Sequence, residues 1–329
     1  MKRKMLNVPK GGYDGMKGFT IVEFLVAGLL SVIVLIAVVS SYFTSRKLND
    51  AANERLAEQQ DLRNAATLIV RDARMAGSFG CFNMSEHTEK DVVSGVAQKD
   101  VVSGVAQKNR LFSLKMNSTN KVISNGTDNK LIPIAESPNI RYQGFTHRPN
   151  ALIFQYGIDD VNASADTTVV SSCAVISKPG KQILNLEDVK KELKIVSQDK
   201  EQNGNIARQR HVVNAYAVGR FGNEEGLFRF QLNEKGEWGN PQLLAKKIKR
   251  MRVRYIYVSG CPEDEDAGKE EQFKYTDKFD SSVTPAGVEV LLDSGGSDAK
   301  IAASSDNIIY AYRINATIRG GNVCANRTL

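Results

Sequence analysis

Residues 18–45 read GFTIVEFLVAGLLSVIVLIAVVSSYFTS. From Phe24 to Ser45 there is no charged side chain and no proline. A run of this length crosses a hydrocarbon layer about 30 Å thick as one helix of roughly 20 residues. Val and Ile are acceptable in it, because lipid forces every backbone N–H and C=O to pair within the helix. The one charged side chain in the stretch is Glu23, at its start. Upstream, Lys2, Arg3, Lys4, Lys10 and Lys17 stand against Asp14, a basic flank of the kind that stays on the cytoplasmic side. A carboxylate at such a place either reaches headgroup water or has a partner. A secretory signal peptide has an apolar core of about 7–15 residues followed by a small-residue cleavage site. Here the apolar run is longer, and the small residue, Gly18, comes before it.

Lys17-Gly18-Phe19-Thr20-Ile21-Val22-Glu23, followed by an apolar helix, resembles the class III signal of type IV pilins and pseudopilins. The resemblance implies a prepilin peptidase that cuts between Gly18 and Phe19, N-methylates Phe19 and leaves the helix in place. It also implies that Glu23, the fifth mature residue, docks subunits. A carboxylate in lipid is costly unless paired, and the cationic N-terminal amine of a neighbouring subunit would neutralise it.

Beyond the apolar run the helical pattern continues. Leu62, Ala66, Ile69, Ala73 and Ala76 recur at intervals of four, three, four and three, one stripe of an amphipathic helix, with Arg63, Arg71, Asp72 and Arg74 mostly off it. Gly77, Ser78 and Gly80 predict its end. The stretch Arg71–Cys81, RDARMAGSFGC, resembles the segment that follows the long helix in minor pilins of the PilW/PilJ family. AYAVGR at Ala215–Arg220, GLFRF at Gly226–Phe230 and LLAKKIKRMRVRYIYV at Leu243–Val258 are similar to the same family's later pattern, in order and spacing. The resemblance covers the helix well, the later half moderately, and residues 86–205 hardly at all. It implies an α+β, pilin-like fold: a leader over 1–18, a transmembrane helix over 19–45, an amphipathic continuation over 46–78, and a mostly antiparallel β head over 79–329, expected as two sheets. It implies a minor pilin that primes type IV pilus assembly and display. Its partners would be other minor pilins, the major pilin, the prepilin peptidase, the inner membrane and a pilus-tip adhesin. The head would lie in the periplasm before assembly and on the pilus afterwards. A J-type pseudopilin of type II secretion and a tip adhesin or DNA-binding subunit are the alternatives.

With 42% hydrophobic residues, 329 residues can build a sizeable core. The formal net charge is +7, of which the leader, with five basic and one acidic side chain, holds +4. Bulk charge therefore gives nucleic-acid binding little support. Cys81, Cys173, Cys261 and Cys324 all follow the apolar run, and their even number and wide spacing suggest disulfides in an oxidising compartment. Three pairings are open; Cys81–Cys173 with Cys261–Cys324 is the expectation adopted here. Residues 91–99 and 100–108 repeat DVVSGVAQK, too short and too few for a solenoid, so a duplication in an exposed loop is expected.

Strand alternation is expected at Leu152–Tyr156, Thr168–Ile176, Val212–Val218, Leu227–Leu232, Met251–Val258 and Ile308–Ile318, with a short helix at Leu186–Val196 capped by Asn185. His87, His147 and His211 stand far apart, and no nucleophile, phosphate-loop or dinucleotide motif is present. No enzyme activity, cofactor or metal is therefore expected. Glu263, Asp264, Glu265 and Asp266 offer oxygens for Ca²⁺ but lack the EF-hand spacing, and a solvated loop accounts for them. Arg250, Arg252 and Arg254 would share one face of a strand, opposite Met251, Val253, Tyr255 and Tyr257. That face suits DNA phosphates, an acidic neighbouring subunit, or plain solvation of a strand.

Overall fold

The structure is a computed structural model that describes residues 18–93, 130–137, 140–148, 150–164, 167–179, 186–195, 205–233, 237–239, 241–259, 272–280, 282–293 and 312–321. Two compact units meet within the first helix, one ending at Ala57 and the other beginning at Glu58.

Helix α1 runs Ile21–Met75 without a break. Its apolar portion has an 18-residue window of mean hydropathy 2.9, none of it buried, so one helix is long and apolar enough to cross a membrane. It contains no proline, and two of its hydroxyl side chains, Ser31 and Thr44, donate back to the carbonyls of Ala27 and Ser40 at 2.7 and 2.9 Å. The helix stops where Gly77 adopts φ 79° and its N–H turns to the Gln155 carbonyl at 2.8 Å. A Cβ at Gly77 would also press on Pro133 at 3.0 Å, so glycine is needed there for both reasons.

Among the described residues fifteen strands and a second α-helix follow. In chain order they are β1 Ser78–Phe79, β2 Phe82–Asn83, β3 Val92–Val93, β4 Ile134–Ser137, β5 Phe145–His147, β6 Ala151–Ile158, β7 Thr168–Ser171, β8 Ile176–Ser177, α2 Leu186–Glu192, β9 Ala207–Phe221, β10 Glu224–Gln231, β11 Gln242–Lys246, β12 Arg250–Ser259, β13 Gln272–Thr276, β14 Gly287–Asp293 and β15 Tyr312–Thr317. The result is α+β, with three sheets among the described residues rather than the expected two: a β1–β2 hairpin, a nine-stranded sheet and a four-stranded sheet ordered β13-β12-β14-β15. Among the described residues pairing is antiparallel except between β3 and β8.

The fifteen residues of β9 organise the nine-stranded sheet. It pairs with β10, β7, β6 and β5 at different points along its length. The β9–β10 turn is the two-residue loop Gly222-Asn223, with Gly222 at φ 60°, the place a tight hairpin reserves for glycine. One face of this sheet sends Leu152, Phe154, Tyr216 and Leu227 into a core with Ala65, Ile69, Ala73 and Ala76 of α1. The inner face of the four-stranded sheet, with Val253, Tyr255, Val288, Val290 and Ile314, joins the same core. The other face of the large sheet has its own cluster around Ile153, Ala215, Phe228 and Phe230.

Cys81 and Cys173 are disulfide-bonded, tying the β1–β2 hairpin to the β7–β8 turn; Cys261 and Cys324 lie outside the described residues. The expected strand at Thr168–Ile176 is two strands, because Ser172 Oγ accepts from the N–H groups of Ala174 and Val175 and turns the chain. The first copy of the DVVSGVAQK repeat begins with β3, half-buried and paired to β8. Residues 94–108, Asn185, Glu263–Asp266 and Ile308–Tyr310 lie outside the described residues.

Candidate functional site

Three places carry the chemistry singled out in the sequence. The first is the start of α1. Gly18 and Phe19 precede the helix, and the Phe19 ring is exposed. Thr20 and Glu23 form a reciprocal cap: Thr20 N–H and Thr20 Oγ1 both donate to Glu23 Oε2 at 3.0 Å, and Glu23 N–H donates to Thr20 Oγ1 at 3.3 Å. This is the T-x-x-E capping box, which answers two of the donors a helix leaves open at its N-terminus. Both bonds from Thr20 fall on one carboxylate oxygen. Glu23 Oε1 receives none among the described residues, so the group keeps acceptor capacity for a further donor.

The second place was missed by the sequence reading. Asp72 is fully buried on α1. Tyr156 Oη donates to its Oδ1 at 2.9 Å, and Asn214 Nδ2 and Tyr216 Oη donate to its Oδ2 at 2.8 and 2.6 Å. Arg229 and Arg71 add longer contacts at 3.4 and 3.3 Å. Asn214 and Tyr216 project from β9, Tyr156 from β6 and Arg229 from β10, all on the face turned to the helix. Burial first, then the neighbouring Asp72 charge, pushes the Tyr156 phenol up to about 12 and raises Tyr216 as well, so both stay protonated donors. Asp72 is three residues after Ile69 and four before Ala76. That spacing places it in the buried stripe and was the available signal; its charge led the sequence reading to set it aside.

The third place is β12. Arg250, Arg252 and Arg254 do share a face, with Met251, Val253 and Tyr255 buried on the other. The guanidiniums face carboxylates of the same sheet. Arg250 Nε and Nη2 donate to Asp293 Oδ2 at 2.8 and 2.5 Å, and Arg252 pairs with Asp277. Arg254 Nε donates to Glu289 Oε2 at 2.5 Å while Arg313 holds Glu289 Oε1 at 3.1 Å. Glu289 and Asp293 lie on β14 and are themselves buried, so the arginines cover them as cross-strand and diagonal neighbours. Along this face four guanidiniums, those of Arg250, Arg252, Arg254 and Arg313, meet three carboxylates, those of Asp293, Asp277 and Glu289.

The histidines stay apart. His87 stacks on Phe82 and meets Asp91 at 3.3 Å. His147 packs near Phe145 on β5. His211 is buried against Gln155 at 3.0 Å. Among the described residues no group of three or more His, Cys, Asp or Glu side chains converges to hold a metal.

Fold and geometry together define an α+β protein with one membrane-length apolar helix, a disulfide and a β-rich body. The chain matches no family model, no curated protein and no solved structure.

Proposed function

We propose that this chain is a minor pilin of a type IV pilus, of the PilW/PilJ class, whose apolar helix enters a shared bundle with other pilin helices and whose β-rich body is displayed. The observation that carries the reading is the Thr20–Glu23 cap at the start of an apolar helix. A carboxylate at that depth needs a partner. In this chain Thr20 occupies one oxygen and leaves Oε1 for a cation from elsewhere. A cut after Gly18 would create such a cation at Phe19 of a neighbouring copy. The unburied apolar portion of α1 supports the same reading, because a long apolar surface needs lipid or other helices around it. The β12 ladder gives the DNA-binding alternative no comparable support.

The test is the mature N-terminus. Mass spectrometry of the protein from its membrane should find it beginning at N-methylated Phe19, and a bulky residue at Gly18 should leave the leader attached. A mature chain beginning at Met1, or cut beyond Tyr42, would overturn the reading. Glu23→Ala should leave the β-rich body folded and abolish incorporation into pili.

A further inference from the structure

An asparagine followed two residues later by Ser or Thr, with no proline between them, is the acceptor pattern for N-linked glycan transfer. Six stretches of the chain carry it, beginning at Asn83, Asn117, Asn125, Asn162, Asn315 and Asn326. Three of them, at Asn83, Asn162 and Asn315, lie wholly among the described residues, and the structure separates these three. Asn83 is half-buried and engaged at both ends of its amide: Nδ2 donates to Glu86 Oε1 at 2.7 Å, and Oδ1 accepts from Ser85 N–H at 3.4 Å. Asn315 is exposed but sits inside β15, opposite Glu289 of β14 and beside the buried Ala316. An enzyme working on either would have to undo a cap or a strand ladder, whereas an exposed loop tip is open to enzymes on the folded chain.

Asn162 is at such a tip. It lies between β6 and β7, in the turn that Ala163 N–H closes on the Asp160 carbonyl at 3.2 Å. Its own N–H donates to Asp160 Oδ1 at 2.9 Å. The residue is exposed, and its side-chain amide has no partner among the described residues. Val161 beside it is 88% exposed. The foot of the loop is fastened to β9, because Asp160 pairs with Arg210 at 3.0 Å and Asp159 Oδ1 accepts from Gln209 Nε2 at 2.9 Å. A bulky group on Asn162 would therefore extend into solvent without displacing a strand. Ser164, the third residue of the pattern, has a hydroxyl that shares one bond with the Thr167 hydroxyl at 3.2 Å, with either oxygen able to donate, so it can turn toward an enzyme. We propose that Asn162 is an N-glycosylation site whose donor is a sugar activated at C1 through a diphosphate. In the transfer Asn162 Nδ2 forms a bond to C1. The C1–O bond to the diphosphate breaks, and its electron pair leaves with the diphosphate. The Nδ2 proton passes to a base of the transferase. The Cys81–Cys173 disulfide fits the oxidising compartment in which surface loops of secreted chains carry such glycans. The inference goes beyond the proposed function and does not depend on cleavage of the leader.

The test uses the full chain purified in detergent from the cells that make it, digested and mapped by mass spectrometry. The peptide holding Asn162 should carry a sugar mass on that residue, while Asn83 and Asn315 should be bare. Asn162→Gln and Ser164→Ala should each abolish the added mass, and Ser164→Thr should keep it. A retained Cys81–Cys173 disulfide confirms that the body is folded in each variant. Several sugars present at one mass mark a lipid-borne donor that transfers a block, and a single sugar marks a nucleotide-borne donor; either supports the proposal. A bare Asn162 in the native chain would overturn it. So would an added mass that survives Ser164→Ala in the folded protein, or sugar on Asn83 or Asn315 with none on Asn162. The mature N-terminus is read from the same digest, so a bare Asn162 beside an N-methylated Phe19 sinks this site and leaves the pilin reading standing.

Discussion

Tyr216 Oη donates to Asp72 Oδ2 at 2.6 Å, joining the helix to the central strand of the large sheet across 144 residues of sequence. The bond is part of a set in which one buried carboxylate receives donors from β6, β9 and β10. Apolar packing against Leu152, Phe154 and Leu227 is non-directional and alone would let the helix slide over the sheet face. A directional set of bonds around one carboxylate selects a single axial and rotational position. Removing one donor leaves the rest, whereas removing the acceptor leaves several buried donors and Arg229 uncompensated. Tyr216→Phe should therefore cost about 1.5–3 kcal/mol, the range for a hydrogen bond to a charged group, and Asp72→Ala about 3–5 kcal/mol. Denaturant unfolding of the detergent-solubilised chain measures both. Equal costs would mean that the network does not converge on Asp72.

One contribution to the pH dependence comes from His211. Burial alone lowers its imidazole from 6.5 to about 4. Between those values the unfolded chain binds a proton that the folded chain refuses, so stability is complete above pH 6.5 and declines as pH falls toward 4. Over that window the loss should reach roughly 3 kcal/mol, at about 1.4 kcal/mol per pH unit. Replacing His211 by Gln, which keeps a polar contact to Gln155, should flatten the profile between pH 6.5 and 4. An unchanged slope in that variant would move the effect to another group.

Much of this architecture could be read in advance. The long helix, its stop at Gly77 and the strands around Ile153, Tyr216, Leu227 and Val253 follow from apolar run length and period-two alternation. What escaped did so for physical reasons. β14, GVEVLLD, is buried over its whole length, so it shows no alternation between water and core. Asp72 escaped because hydropathy scores a carboxylate as outward-facing and cannot see Tyr156, Asn214 and Tyr216 arriving from distant strands. β4 and β5 are short and rely on β6 and β9 for definition. The capping box is legible without the structure, because Thr20 and Glu23 have the T-x-x-E spacing ahead of an apolar run.

The arginines of β12 offer the sharpest contrast within one strand. Arg254 covers Glu289, whose side chain is only 3% exposed, whereas Arg252 meets Asp277, whose side chain is 44% exposed. Water can replace Arg252 but has little access to Glu289. Arg252→Ala should therefore cost at most about 1 kcal/mol, as exposed pairs do. Arg254→Ala should cost about 1–3 kcal/mol, because Arg313 alone then serves a desolvated carboxylate. Arg254→Glu should cost more again, since it sets two carboxylates side by side on adjacent strands. Stability of the three variants in denaturant, read beside their retention on DNA across a salt series, separates the structural role from a phosphate-binding one. Phosphate contacts would make Arg252→Ala and Arg254→Ala lose affinity alike, each lowering the salt slope by about one. Unequal losses of stability with no change in DNA retention are the result that the ladder predicts.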